Sequence, residues 1–279
     1  MPVKTILVYV PSGKNAAATL ESVLGLASKR NAHVIGLHLA PDLPVYGEFP
    51  AEVSQEVIER LQKAGDDAAA AAKAAFEKVF KGGAVTHEWR GFVVSYVMGA
   101  DLIAQQGRGV DLIVCGKPDE EIPDAWSDFA ETALMGSGRP VLIVPPGMGS
   151  KPIGARAVIA WNDTREAARA VFDSLDLIAG AESVRVFTMI GDEDERAAAE
   201  ANGAQLIATL GRHGVQAKFE VTVASRGTTG ETICAKLADS DCDLLIMGGY
   251  SHSRLREMIF GGVSRDILRN TRVPTLVSH

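Results

Sequence analysis

Short, wholly apolar runs alternate along this chain with stretches in which apolar residues recur every three or four positions. In the first half the runs are Thr5–Pro11, Ala32–Ala40, Ala84–Arg90, Asp111–Cys115 and Val141–Val144, each of strand length and flanked by turn residues. Between them the period lengthens to that of a helix. Leu20, Val23, Leu24 and Leu26 stripe Ala16–Lys29, and Val53, Val57, Ile58, Leu61, Phe76, Val79 and Phe80 stripe a long helix stopped by Gly82-Gly83. Further helices are expected from about Val94 to Gln106 and over Phe129–Met135. The segments 41–50 and 117–128 read as irregular, the second of them acidic.

The pattern then restarts. Strands are expected at Ala157–Trp161, Val184–Thr188, Ala217–Val223 and Leu244–Met247, with helices at Glu166–Ala179, Asp194–His213 and Gly230–Ser240. The two halves also match in letters: Asp111-Leu112-Ile113-Val114-Cys115-Gly116 parallels Asp243-Leu244-Leu245-Ile246-Met247-Gly248, and Arg90-Gly91 parallels Arg226-Gly227. Strands apolar on both faces and alternating with helices imply a parallel sheet covered on each side. The expected architecture is α/β: two tandem doubly wound domains, each with a five-stranded parallel sheet, at residues 1–146 and 153–279. Residues 147–152 form the linker, since Gly147, Gly149 and Lys151 only mimic nucleotide-binding loops and lack their spacing. Val141–Val144 and Thr275–Val277 follow closely on prolines and read as sheet edges. Two such edges can pair with each other or with another chain.

Composition narrows the picture modestly. The 279 residues are 47% hydrophobic and 23% charged, ordinary for a soluble globular protein. No apolar run approaches the ~20 residues of a membrane span, and the run ending at Pro11 is too short for a signal-peptide core. A cytoplasmic protein without membrane contact is expected. The net charge of −7 speaks against a nucleic-acid partner. Cys115, Cys234 and Cys242 lack metal-ligand spacing and read as reduced, buried thiols, and the histidines are scattered, so no metal site is expected.

The candidate chemistry lies in residues 244–279. An apolar run ends in Gly248-Gly249, Gly261-Gly262 opens a helix, and Val273-Pro274 leads into the last apolar run. This layout sets backbone N–H groups and a helix dipole at the carboxyl edge of a sheet, where a phosphate is well held. The plainer reading of the same glycines is a pair of turns and a helix start. Trp161 likewise reads either as core or as a wall of the crevice.

The duplicated unit, with a closing Gly-x-x-Gly-x9-Gly-Ser/Thr-like signature in residues 247–276, resembles the universal stress protein family in tandem form. The resemblance implies a fold of the adenine-nucleotide alpha-hydrolase-like (HUP) type. It also implies last-strand pairing, either in a homodimer or between the halves of one chain. Many members bind ATP through the signature, and others lack it and do not. By resemblance, the nucleotide site comprises Ala160, Asn162, Thr164 and Thr188, then Met247, Gly248, Tyr250, Ser251 and His252, then Gly261, Gly262 and Val263. The ligand implied is ATP or AMP, with Mg2+ accompanying ATP, or another small anion.

Two signature positions depart from the family: Ser251 stands for a glycine and Gly262 for a hydroxyl residue, while Asn162 replaces the first-strand aspartate. Losing one hydroxyl donor to a charged group costs about 1.5–3 kcal/mol, one to two decades of affinity. Ser251 costs ~1 kcal/mol if a positive φ is required there, and His252, Arg254 and Arg256 offer compensating donors. The first half keeps only Gly116, has Pro11 at the aspartate position, and carries Asp119, Glu120, Glu121, Asp124 and Asp128 where phosphates would lie. Two charges ~4 Å apart repel by about 4 kcal/mol in a mixed dielectric, so this half reads as a structural partner.

Two functions stay open: a stress-response protein binding an adenine nucleotide weakly in its second half as a sensor or regulator, and a non-nucleotide interaction or small-ligand module of the same fold. No catalytic constellation is present. Asp163 and Thr164 are placed to position a water for, at most, slow ATP hydrolysis.

Overall fold

The apolar runs become strands and the helix-period stretches become helices. The computed structural model describes residues 2–11, 16–42, 54–117, 128–223, 229–238, 241–249, 267 and 271–279. The first half runs β1 (Thr5–Tyr9), α1 (Ala16–Arg30), β2 (His33–Pro41), α2 (Gln55–Phe80), β3 (His87–Val94), α3 (Tyr96–Arg108), β4 (Leu112–Gly116), α4 (Phe129–Ser137) and β5 (Val141–Val144). The second repeats the order with β6 (Arg156–Ala160), α5 (Arg165–Ile178), β7 (Ser183–Ile190), α6 (Arg196–Arg212), β8 (Ala217–Val223), α7 (Thr229–Ala238), β9 (Leu244–Gly248) and β10 (Thr275–Ser278).

All the strands join one ten-stranded sheet in the order β3-β2-β1-β4-β5-β10-β9-β6-β7-β8. Within each half every pairing is parallel. At the seam β5 and β10 run antiparallel, with Thr275 opposite Ile143, Leu276 opposite Leu142 and Val277 opposite Val141. The strands read as edges are therefore the two central strands, each serving as the other's partner, and the free edges are β3 and β8. Pro140 and Pro274 precede these strands and still contribute carbonyls, which accept from Ile113 and Leu245 at 3.1 and 2.8 Å. A proline at a strand entrance loses a donor and keeps its acceptor.

Alternation along the strands divides the core in two. Ile6, Val8, Ile159, Ile246 and Leu276 point to the face covered by α1, α2, α5 and α6, where Leu20, Phe76, Phe80, Val171 and Leu210 meet them. Leu7, Val158, Leu245 and Val277 point to the other face, under Ile103, Phe129, Leu134, Ile233 and Ile267. The repeated aspartates now have a purpose. Asp111 accepts from the backbone N–H of Lys4 and Thr5, both at 2.9 Å, and Asp243 from Gly154 and Arg156 at 2.8 and 3.1 Å. Each fastens the entrance of the first strand to the entrance of the fourth in its own half.

Two expectations need correction. The third strand extends through Arg90-Gly91 to Val94, and Ser95 precedes the helix, because Phe92 and Val94 pack on the core beside Leu39 and pair with the end of β2. Gly91 is part of that ladder, opposite His38. Of the three thiols only Cys115 is buried, and Cys234 and Cys242 are half-exposed. Among the described residues no helix is long and apolar enough to cross a membrane.

Candidate functional site

Helix α5 follows β6 through a tightly pinned turn. Thr164 is its N-cap: the hydroxyl accepts from Ala167 N at 3.3 Å and donates to the Asn162 side-chain carbonyl at 2.9 Å. Asn162 thereby has its oxygen engaged locally and keeps its NH2 group for a ligand or water. Asp163 sits between them at φ 54° and accepts from the Asn202 amide of α6 at 2.9 Å. Thr188, one strand across, donates from its hydroxyl to the carbonyl of Trp161 at 2.9 Å. Trp161 is half-buried and packs against the α5–α6 side of the core, with its indole N–H buried and unpartnered.

The end of β9 meets α5 closely. A Cβ on Gly248 would lie 2.5 Å from Ala167 N and 2.7 Å from the Glu166 carbonyl carbon. Only glycine lets the sheet edge and the first turn of α5 come this near. Gly249 N–H donates to the Ser278 carbonyl at 2.9 Å, and the Gly249 carbonyl accepts from His279 Nδ1 at 3.2 Å. A Cβ there would meet Val277 at 2.7 Å and Leu134 of α4 at 3.2 Å. The turn is thus braced by β10 on one side and by the amino-terminal half on the other.

Glu166 is buried in the first turn of α5 and paired with Arg165. Burial pushes its carboxyl up, but hydrogen bonds from Arg165 and the backbone, with the charges of Arg165 and His279, outweigh it and hold the group below the ordinary range. Ala160, Asn162, Thr164, Thr188, Met247 and Gly248 are brought together at the carboxyl ends of β6, β7 and β9. Tyr250, Ser251, His252, Gly261, Gly262 and Val263 lie outside the described residues. Glu166, His279 and Leu134 also contact this region, and neither periodicity nor motif singled them out. A match of His279 to the Gly249 carbonyl needs the sheet register, which the letters do not carry.

The equivalent place in the first half carries different side chains. Strand pairing equates Tyr9 with Ala160 and Leu37 with Phe187. Tyr9 stacks on Phe129 at the start of α4, with ring centroids 4.2 Å apart and planes at 12°. Where the second half has the methyl of Ala160, the first has this aromatic pair. His38 takes the place of Thr188 and makes the matching bond to the Val10 carbonyl at 2.8 Å. The acidic segment 118–127 lies outside the described residues.

Two doubly wound halves sharing one sheet, with a glycine turn at the carboxyl edge of the second, define a tandem α/β protein. The sequence profile of the Universal stress protein family matches residues 2–145 and 159–279, and the chain belongs to that family. A curated relative, Universal stress protein Slr1230 of Synechocystis, is 32% identical over 85 residues, a match covering 30% of this chain and 28% of the relative. Among solved structures, a universal stress protein from Archaeoglobus fulgidus superposes over 98% of this chain and 95% of its own, with TM-score 0.70 and 16% identity. The cytoplasmic domain of a prokaryotic cation chloride cotransporter also superposes, over 99% of this chain and 95% of its own, with TM-score 0.50 and 13% identity. At such identities these structures speak to the fold alone, and one fold carries many functions.

Proposed function

We propose that this protein acts in stress response by binding an adenine nucleotide, ATP or AMP, in its carboxy-terminal half, as a sensor or regulator. The observation that carries this reading is the asymmetry of the two carboxyl edges. Tyr9 and Phe129 stack at the first, while the second presents Ala160, the free NH2 of Asn162 and the braced Gly248-Gly249 turn. The sequence then supplies Gly261-Gly262 at a spacing that suits a phosphate. Asp163 and Thr164 are both engaged in local hydrogen bonds, which favours binding over turnover.

A second reading, a small-ligand or interaction module without nucleotide, is favoured by the uncharged Asn162 and by Ser251 and Gly262 in the signature. Denaturing the purified protein and analysing the supernatant for AMP, ADP or ATP separates the two, together with calorimetric titration of ATP with and without Mg2+. Released nucleotide or measurable heat, abolished by Gly261→Trp and kept in a comparable Gly116 variant, is the expected result. No release and no heat at millimolar ATP would leave the second reading.

A further inference from the structure

The antiparallel seam has a geometric consequence for this edge. Because β10 runs against β5, the carboxyl edge of the second half lies beside the amino-terminal ends of the strands of the first. The carboxy-terminal part of α4 and the entrance to β5 therefore approach the Gly248-Gly249 turn, where a Cβ on Gly249 would meet Leu134 at 3.2 Å. Three arginines gather there. Arg169, one turn beyond Glu166 on α5, donates to the Gly138 carbonyl at 2.8 Å. Arg108 donates to the Gly136 carbonyl at 3.3 and 3.4 Å, and Arg139 to the Arg108 carbonyl at the same two distances.

Cations at helix C-termini are favourable in themselves. That role engages only five of the fifteen N–H donors these guanidinium groups carry. Arg108 and Arg169 are exposed and Arg139 is half-buried. Among the described residues none of the three has a carboxylate partner, whereas Arg30, Arg90, Arg156, Arg165 and Arg196 all do. In a chain of net charge −7, a group of arginines without carboxylates at the rim of a candidate phosphate site marks a place for an anion. Arginine's planar fork suits phosphate oxygens.

We propose that Arg108 and Arg139 of the amino-terminal half, with Arg169 of α5, bind the terminal phosphates of a polyphosphate-bearing ligand seated in the carboxy-terminal half. The first half thus completes the site of the second. The proposal rests on the nucleotide reading above and extends it to a preference for ATP over AMP.

The test is calorimetry on the full chain with adenosine, AMP, ATP and inorganic tripolyphosphate, comparing wild type, the double variant Arg139→Gln/Arg169→Gln, the charge-keeping Arg139→Lys, and Arg212→Gln on α6 as a control. The double variant is expected to weaken ATP and tripolyphosphate about tenfold or more and adenosine little, with Arg139→Lys recovering most of the loss and Arg212→Gln unchanged. Equal ATP affinity in wild type and the double variant would overturn this proposal and leave the nucleotide reading standing. Tripolyphosphate binding that needs these arginines, without binding of adenosine or AMP, would support the arginine site and remove the nucleotide reading. Absence of all binding to wild type would remove both.

Discussion

At the scale of single residues, the tightest constraint falls on Gly248. Replacing it by alanine forces the first turn of α5 away from β9, since the new Cβ would sit 2.5 Å from Ala167 N. Overpacking of this kind costs about 1–3 kcal/mol, and Gly248→Ala is expected to lower the urea midpoint and any ligand affinity together. Glu166 gives a pH signature. Its folded-state pKa is depressed, so the ionised group contributes stability above the ordinary carboxylate range, and that contribution is lost as pH falls through the folded-state value. Urea unfolding of wild type and Glu166→Gln should therefore differ most near neutral pH and converge in acid; a gap independent of pH would refute this. For Cys115, burial pushes the thiol up to about 12. A thiol reagent at about pH 8 should modify Cys234 and Cys242 first and reach Cys115 only on unfolding. Here the sequence was legible as to chemistry but not exposure. All three cysteines looked alike as small apolar residues, and only the three-dimensional neighbours tell them apart.

At the scale of elements, the periodicities translated well because strand and helix demand different spacings of the same apolar residues. Ala217–Val223 and Val141–Val144 were located at both ends. The end of β3 was not, because Arg90-Gly91 looks like a turn when read locally. Only pairing with β2 and the packing of Phe92 and Val94 keep it extended. The start of α5 was expected at Glu166, one residue inside the observed Arg165, and Thr164 is the residue that caps it. Thr164→Ala should cost about 1 kcal/mol in chemical denaturation, and it also frees the Asn162 side-chain oxygen. A cost near zero would mean that Asn162 or water replaces the cap.

At the scale of the whole molecule, the duplication and the doubly wound order were readable from repeated letters and alternating periods. The junction was not settled by them, because an edge strand carries no mark of which partner it will choose. The structure makes that choice inside the chain. Beyond the β5–β10 ladder, Arg30 of α1 pairs with Asp176 of α5 at 2.8 Å while donating to its carbonyl at 3.0 Å, and the Ser22 hydroxyl donates to Gly149 O at 2.6 Å in the connecting segment. With the sheet continuous across the halves, thermal unfolding should be a single transition, coincident by far-ultraviolet circular dichroism and tryptophan fluorescence. Two resolved transitions would show that the halves melt separately.

The seam also changes what one substitution can do. When two identical subunits pair about a two-fold axis, every side chain appears twice, and closing one crevice closes both. Here the pairing joins two stretches of sequence that mutate independently. Tyr9 can stack on Phe129 in one half while its counterpart in the other is the small Ala160. The covalent connection also keeps these unlike halves together at any dilution. A molecule built on a near-symmetric plan is thereby free to let its two halves diverge.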